Sequence, residues 1–160
     1  MLGPKQVTKR LNHFINHGGT MSYRVNTNRK FLNKATVKRT DNINCVKKVM
    51  SYLTLNKGIA VGIAANQLFM DNRVFGINYK DKIMVFINPE IVAYEGHQDS
   101  TEGCMSIKNG NKHYHVKRPM SITIKDEMNG EQTFHEYYAT VIAHEFDHLE
   151  GLLISNVGVK

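Results

Sequence analysis

The chain has no tryptophan and only two cysteines, Cys45 and Cys104, among its 160 residues. Two thiols cannot build the disulfide framework of a small secreted domain, and nothing else in the sequence points to an oxidising compartment. No run of about eighteen apolar residues is present, which argues against a membrane-spanning helix, and no secretory apolar stretch stands near the start. Internal repeats and low-complexity tracts are missing too, so a repeat array is excluded. Acid is absent from residues 1–40, which carry nine Lys or Arg, while all fourteen Asp and Glu lie from Asp41 onward. What remains is the size and composition of one soluble domain with enough interior for a single core.

The densest chemistry is near the carboxyl end, in His144-Glu145-Phe146-Asp147-His148. Ala139, Val141, Ile142, Ala143, Phe146 and Leu149 predict a helix with an apolar stripe, which Gly151 ends. A helix turns about 100° per residue, so His144 and His148 share one face and can grip one metal ion. Glu145 beside them is placed to pass protons for a bound water. The alternative is a chance His pair on a solvated helix.

A catalytic metal needs a third protein ligand. Only twelve residues follow His148, and their one carboxylate, Glu150, is too close on the same helix to act as the downstream Glu of thermolysin-like zincins. The metzincin spacing would require His at 154, where Ile154 stands. A third ligand must therefore come from upstream. Cys104 lies in Glu102-Gly103-Cys104-Met105-Ser106, a tight stretch without helical periodicity, where a glycine lets the backbone approach a metal or substrate. Cys45 falls in an apolar helical pattern and reads as a small, half-buried core residue. His97, His113, His115 and His135 remain competing ligands.

Three segments together resemble the peptide deformylases. Ala60-Val61-Gly62-Ile63-Ala64-Ala65-Asn66-Gln67 is similar to the family's first motif, Glu102 to Ser106 to its second, and His144 to His148 to its third, in the same order and spacing. Phe31 to Val37, Asn88-Pro89 and Val116 to Pro119 carry weaker similarity, and the whole covers residues 21 to 156. Departures are Ala60 for the first motif glycine, Met105 for the usual Leu, Ala143 before His144, and two extra residues between Cys104 and Arg118.

The resemblance implies an N-formyl hydrolase that acts on the amino-terminal formyl-Met of new polypeptides and releases formate. Cys104, His144 and His148 would hold one divalent ion, Fe(II) by family association, with Zn, Ni or Co also suited to such ligands. Glu145 would serve as general base and then general acid. The Gln67 side-chain amide and the Met105 backbone N–H would meet charge developing on the formyl oxygen. A peptide would lie as an added strand beside Val61-Gly62 and Glu102-Gly103, its first side chain near Tyr137, Thr140 and Val141. Arg118 would pair with Glu102, and Asp147 would brace the histidine helix.

The expected fold is α+β, antiparallel strands around a central metal-bearing helix. Residues 43 to 56 predict a helix broken by Gly58. Strands are predicted at 74–78, 84–88, 91–94, 120–125 and 132–136, with a short terminal strand at 152–154. Residues 1–20 are expected to form a basic extension to a catalytic domain of residues 21–160. That extension reads as an organelle transit segment, as an electrostatic handle for ribosomal RNA, or as a plain solvated surface. Gly18-Gly19 weakens the transit reading. A cytoplasmic monomer, a short form of the family from a phage, bacterium or organelle, is the expectation. The rival functions are a metallopeptidase and a non-catalytic RNA- or ribosome-binding module.

Overall fold

The computed structural model describes residues 24–107 and 113–160. The predicted basic extension, residues 1–20, lies outside the described residues. After a short helix α1 (Arg29–Leu32) comes α2 (Ile43–Leu55), then strands β1 (Gly62–Ala64), β2 (Val74–Tyr79) and β3 (Lys82–Ile87). Strands β4 (Glu90–Glu95), β5 (Gln98–Glu102), β6 (Tyr114–Arg118), β7 (Ser121–Asp126) and β8 (Gly130–His135) follow. The chain closes with α3 (Glu136–Leu149) and a one-turn helix α4 (Ile154–Val157). All strand pairs are antiparallel and form three groups: β1-β2-β3, β4-β7-β8 and β5-β6.

Helix α2 exists because Cys45, Val46, Val49, Met50, Tyr52 and Leu53 recur on one face and bury it against Ile63, Val74 and Val85 of the first sheet. Cys45 has no exposed surface, so it is a full core residue rather than the half-buried one expected. Burial pushes its thiol up to about 12, far from reactivity. Asn56 closes the helix by donating its backbone N–H to Tyr52 O, and Gly58 turns the chain away at φ +87°. The β2–β3 turn is tight, with Lys80 and Asp81 both at positive φ, as a two-residue hairpin matching the strand twist requires.

The central element is α3, which packs Ala139, Ile142, Ala143 and Leu149 against Phe75, Phe86, Ile122, Ile124 and Phe134. Each fully buried Ile, Leu or Phe of this set contributes about 1.5–3 kcal/mol of apolar burial. The helix ends in a Schellman arrangement: Leu152 N donates to Asp147 O at 2.8 Å and Gly151 N to His148 O at 3.1 Å. Gly151 sits at φ +74°, and a Cβ there would lie 2.8 Å from backbone atoms of Asn33 and Lys34. No other residue fits that position.

The predicted terminal strand at 152–154 is not formed. Leu152 spends its N–H on the helix cap, Leu153 N donates to Asn156 Oδ1, and Ile154 starts α4. A three-residue apolar run has no period that separates strand from buried helix. The strand contact passes instead to Val159, which bridges His115. Strand β5 was not anticipated, because Gln98-Asp99-Ser100-Thr101-Glu102 carries no apolar alternation.

Candidate metal centre

Strand β5 ends at Glu102, and the turn after it presents Cys104 inward, 7% exposed. Helix α3 crosses beneath and brings up His144 and His148, their ring centroids 5.0 Å apart. The ligand atoms of Cys104, His144 and His148 all lie within 4.8 Å of one another. Cys104 Sγ is 3.4 Å from His148 Nε2. Among the described residues the competing histidines His97, His113, His115 and His135 join no such group and are exposed. Both cysteines are free thiols.

The surroundings hold these atoms by charge. His144 Nδ1 is 2.8 Å from Glu102 Oε2, leaving Nε2 for the interior. Arg118 grips both oxygens of Glu102, at 2.7 and 2.8 Å, and donates from Nη1 to Asp147 Oδ2 at 2.5 Å. Thus Glu102 ties the cysteine strand to the histidine helix, and Arg118 neutralises the tie. Burial alone would raise the Glu102 carboxyl, but the bonds to Arg118 and His144 bring it down to about 2. Burial lowers His144, yet contact with Cys104 and Glu102 carries it up to about 10. His148 is pushed well below its usual value by burial and by the neighbouring His144 charge. Metal binding takes deprotonated ligands, so a divalent cation here would displace the His144 proton and meet two nitrogens and one sulfur, with His148 already neutral.

Glu145 is 5% exposed, and its Oε2 has no hydrogen-bond partner among the described residues. Burial pushes its carboxyl up to about 7, a range in which it can both accept and return a proton near neutrality. Room for it comes from Gly62: a Cβ there would stand 2.5 Å from Glu145 Oε1. Gln67 follows on the 3-10 turn Ala65–Leu68, where its Oε1 accepts from Ala64 N at 3.0 Å. Its Nε2 donates to Ser106 Oγ at 3.1 Å and faces Cys104 Sγ at 3.7 Å. Met105, 39% exposed, accepts a hydrogen bond from the Tyr52 hydroxyl at 3.2 Å through its sulfur.

A cavity of about 720 Å³ opens over the cluster. Every residue predicted for substrate contact lines it: Val61, Gly62, Glu102, Gly103, Tyr137, Thr140 and Val141, with Gln67, Cys104, Met105, His144 and Glu145. Among the described residues strand β1 pairs with β2 alone and β5 with β6 alone, so each turns an unpaired edge outward beside the cavity. Ala60, in place of the motif glycine, is 3% exposed, packs in the α2 core and also borders the cavity. Four further participants lie outside the predicted site residues. Tyr52, Asn66 and Ser106 meet the site only through the folded chain, and Gln98 reaches the Thr140 hydroxyl at 3.3 Å from a polar strand. Ser106 and Asn66 do lie inside the matched motifs, which was the available signal.

A proton-carrying carboxylate beside a Cys–His–His cluster, opening on a cleft rather than sealed in the core, defines a metal-dependent hydrolase. The family model described as polypeptide deformylase matches residues 25–158. Peptide deformylase 1 of Clostridium perfringens is 38% identical over 106 residues, 62% of this chain and 71% of that protein. The peptide deformylase of Acetivibrio thermocellus is 37% identical over 111 residues, covering 67% and 64%. The crystal structure of peptide deformylase from Thermotoga maritima superposes with a TM-score of 0.72 at 26% identity, over 88% of this chain and 99% of that one. The chain belongs to the polypeptide deformylase family.

Proposed function

We propose that this protein removes the formyl group from the amino-terminal formyl-Met of newly made polypeptides. Water is added across the formyl C–N bond, and formate and a free amine leave. The observation that carries this reading is the joint placement of Glu145, Gln67 and the Cys104–His144–His148 cluster at one end of a cleft bordered by two unpaired strand edges.

Cys104, His144 and His148 would hold a divalent ion, Fe(II) in the reading carried from the family, with zinc, nickel or cobalt able to replace it. When bound, such an ion supplies Lewis acidity and makes hydroxide accessible near neutral pH. Glu145 accepts the proton of the attacking water at its unpartnered carboxylate oxygen and returns it to the departing amine. Gln67 Nε2 and the Met105 N–H donate to the formyl oxygen as it gains charge. The edges at Val61-Gly62 and Glu102-Gly103 receive the peptide backbone as an extra strand, so many protein starts are accepted. Tyr137, Thr140 and Val141 border the first side chain. Arg118 and Asp147 do not touch substrate; through Glu102 they fix the His144 ring.

The test is formate release from formyl-Met-Ala-Ser, with unformylated Met-Ala-Ser as the control. Turnover of the formyl peptide alone is expected, and Glu145→Gln should lower kcat about 10²–10⁴-fold with metal retained. Cleavage of the unformylated peptide instead would establish the metallopeptidase rival.

A further inference from the structure

The two histidines of the cluster are held in different ways. The His144 ring is fixed through its second nitrogen, Nδ1, by Glu102 at 2.8 Å. His148 is 1% exposed, and its Nδ1 is buried with no partner among the described residues. Among the described residues no hydrogen bond, then, steers the His148 ring from behind. What is gripped is its backbone: Asn66 Nδ2 donates to His148 O at 2.6 Å. That carbonyl belongs to the last turn of α3, where it also accepts the Gly151 N–H at 3.1 Å in the helix cap, so Asn66 supplies a second donor from outside the helix.

Asn66 is suited to the task because it is itself immobilised. It is 1% exposed and lies in the 3-10 turn directly before Gln67. Asn26, equally buried, donates from Nδ2 to Asn66 O at 3.1 Å and from its backbone N–H to Gln67 O at 2.7 Å. One short segment therefore positions Gln67 on one side of Cys104 and the end of the histidine helix on the other.

We propose that Asn66 is a positioning residue for the metal ligand His148, setting the last turn of α3 so that Nε2 meets the Cys104 sulfur side of the cluster. The inference rests on the reading of Cys104, His144 and His148 as a metal site. Removing the amide donor leaves the turn that carries His148 with its helix cap but without its tie to the Gln67 segment. Outer partners of this kind typically contribute 10–100-fold to metal affinity.

The experiment measures zinc affinity by chelator competition for the wild-type chain, Asn66→Asp, Asn66→Ala, Asn26→Ala and His148→Ala, with cobalt spectra of each. Asn66→Asp keeps the shape and replaces the donor by an acceptor. Both Asn66 variants should bind zinc 10–100-fold more weakly and shift the cobalt absorption bands, while the metal-free proteins still melt cooperatively. Asn26→Ala, which removes the side-chain bond to Asn66 O and the acceptor of the Asn28 N–H while the backbone bond to Gln67 O remains, should lower the melting temperature with zinc affinity kept within twofold. Should the Asp and Ala variants not fold, Asn66→Ser, too short to reach the carbonyl, replaces them with the same expectation. A folded Asn66 variant that binds zinc within twofold of wild type overturns the proposal. Equal zinc affinity in wild type and His148→Ala would overturn the metal-site reading itself, a separate result.

Discussion

At the scale of single residues, Gly62 shows how an absent side chain can place a reactive one. Glu145 occupies the space a Cβ would take, so Gly62→Ala must push the carboxylate aside while leaving the strand intact. We expect kcat to fall about 10²-fold or more, since roughly 1 Å of misplacement can cost that much. Metal content should be unchanged, as no ligand touches Gly62. Turnover near the wild-type value would show that Glu145 works from elsewhere. The ligand types were legible in the sequence, because two imidazoles four apart on a helix can only share a face, and the tight Glu102–Ser106 stretch offered a sulfur. Their support was less so. Glu102 was expected to meet Arg118, and it does, but its bond to His144 joins residues forty-two positions apart that no local pattern connects. Tyr52 was invisible for the same reason.

At the scale of elements, α3 and the β5–β6 hairpin are clamped by one guanidinium. Arg118 is 5% exposed and serves two carboxylates, Glu102 from β5 and Asp147 from α3. Arg118→Met keeps the length of the side chain but leaves the buried Glu102 and the part-buried Asp147 without their cation. Breaking such a pair typically costs about 3–5 kcal/mol, which in a domain of this size lowers Tm by roughly 6–20 °C. Metal affinity should fall with it, because Glu102 loses its own support before it can orient His144. Thermal melts and chelator competition on the same preparation check both effects. Undiminished affinity at a lowered Tm would mean the clamp serves only the fold. The elements with strong periodicity, α2, α3 and the β2–β3 and β7–β8 hairpins, were readable in advance. Those built from polar or very short runs, β5 and the turn at Ile154, were not, since tertiary contacts alone decide them.

At the scale of the whole molecule, charge is the asymmetry left over. Nine basic residues and no acid fall within residues 1–40, against a near-balanced remainder. We propose that the basic amino end gives the enzyme salt-sensitive affinity for ribosomes. Deleting residues 1–20 should then weaken ribosome co-sedimentation at low salt while formate release from a short peptide stays within twofold. Unchanged binding after the deletion would mean that this segment makes no contribution.

Every proposed role in the cleft depends on a sulfur from the β5 turn and two imidazoles of α3 meeting one cation. X-ray absorption at the zinc edge of the zinc-loaded protein measures that directly. We predict one sulfur at about 2.3 Å and two imidazole nitrogens at about 2.0–2.1 Å, with the sulfur lost in Cys104→Ser. A shell of nitrogen and oxygen alone in the wild-type protein would contradict the account.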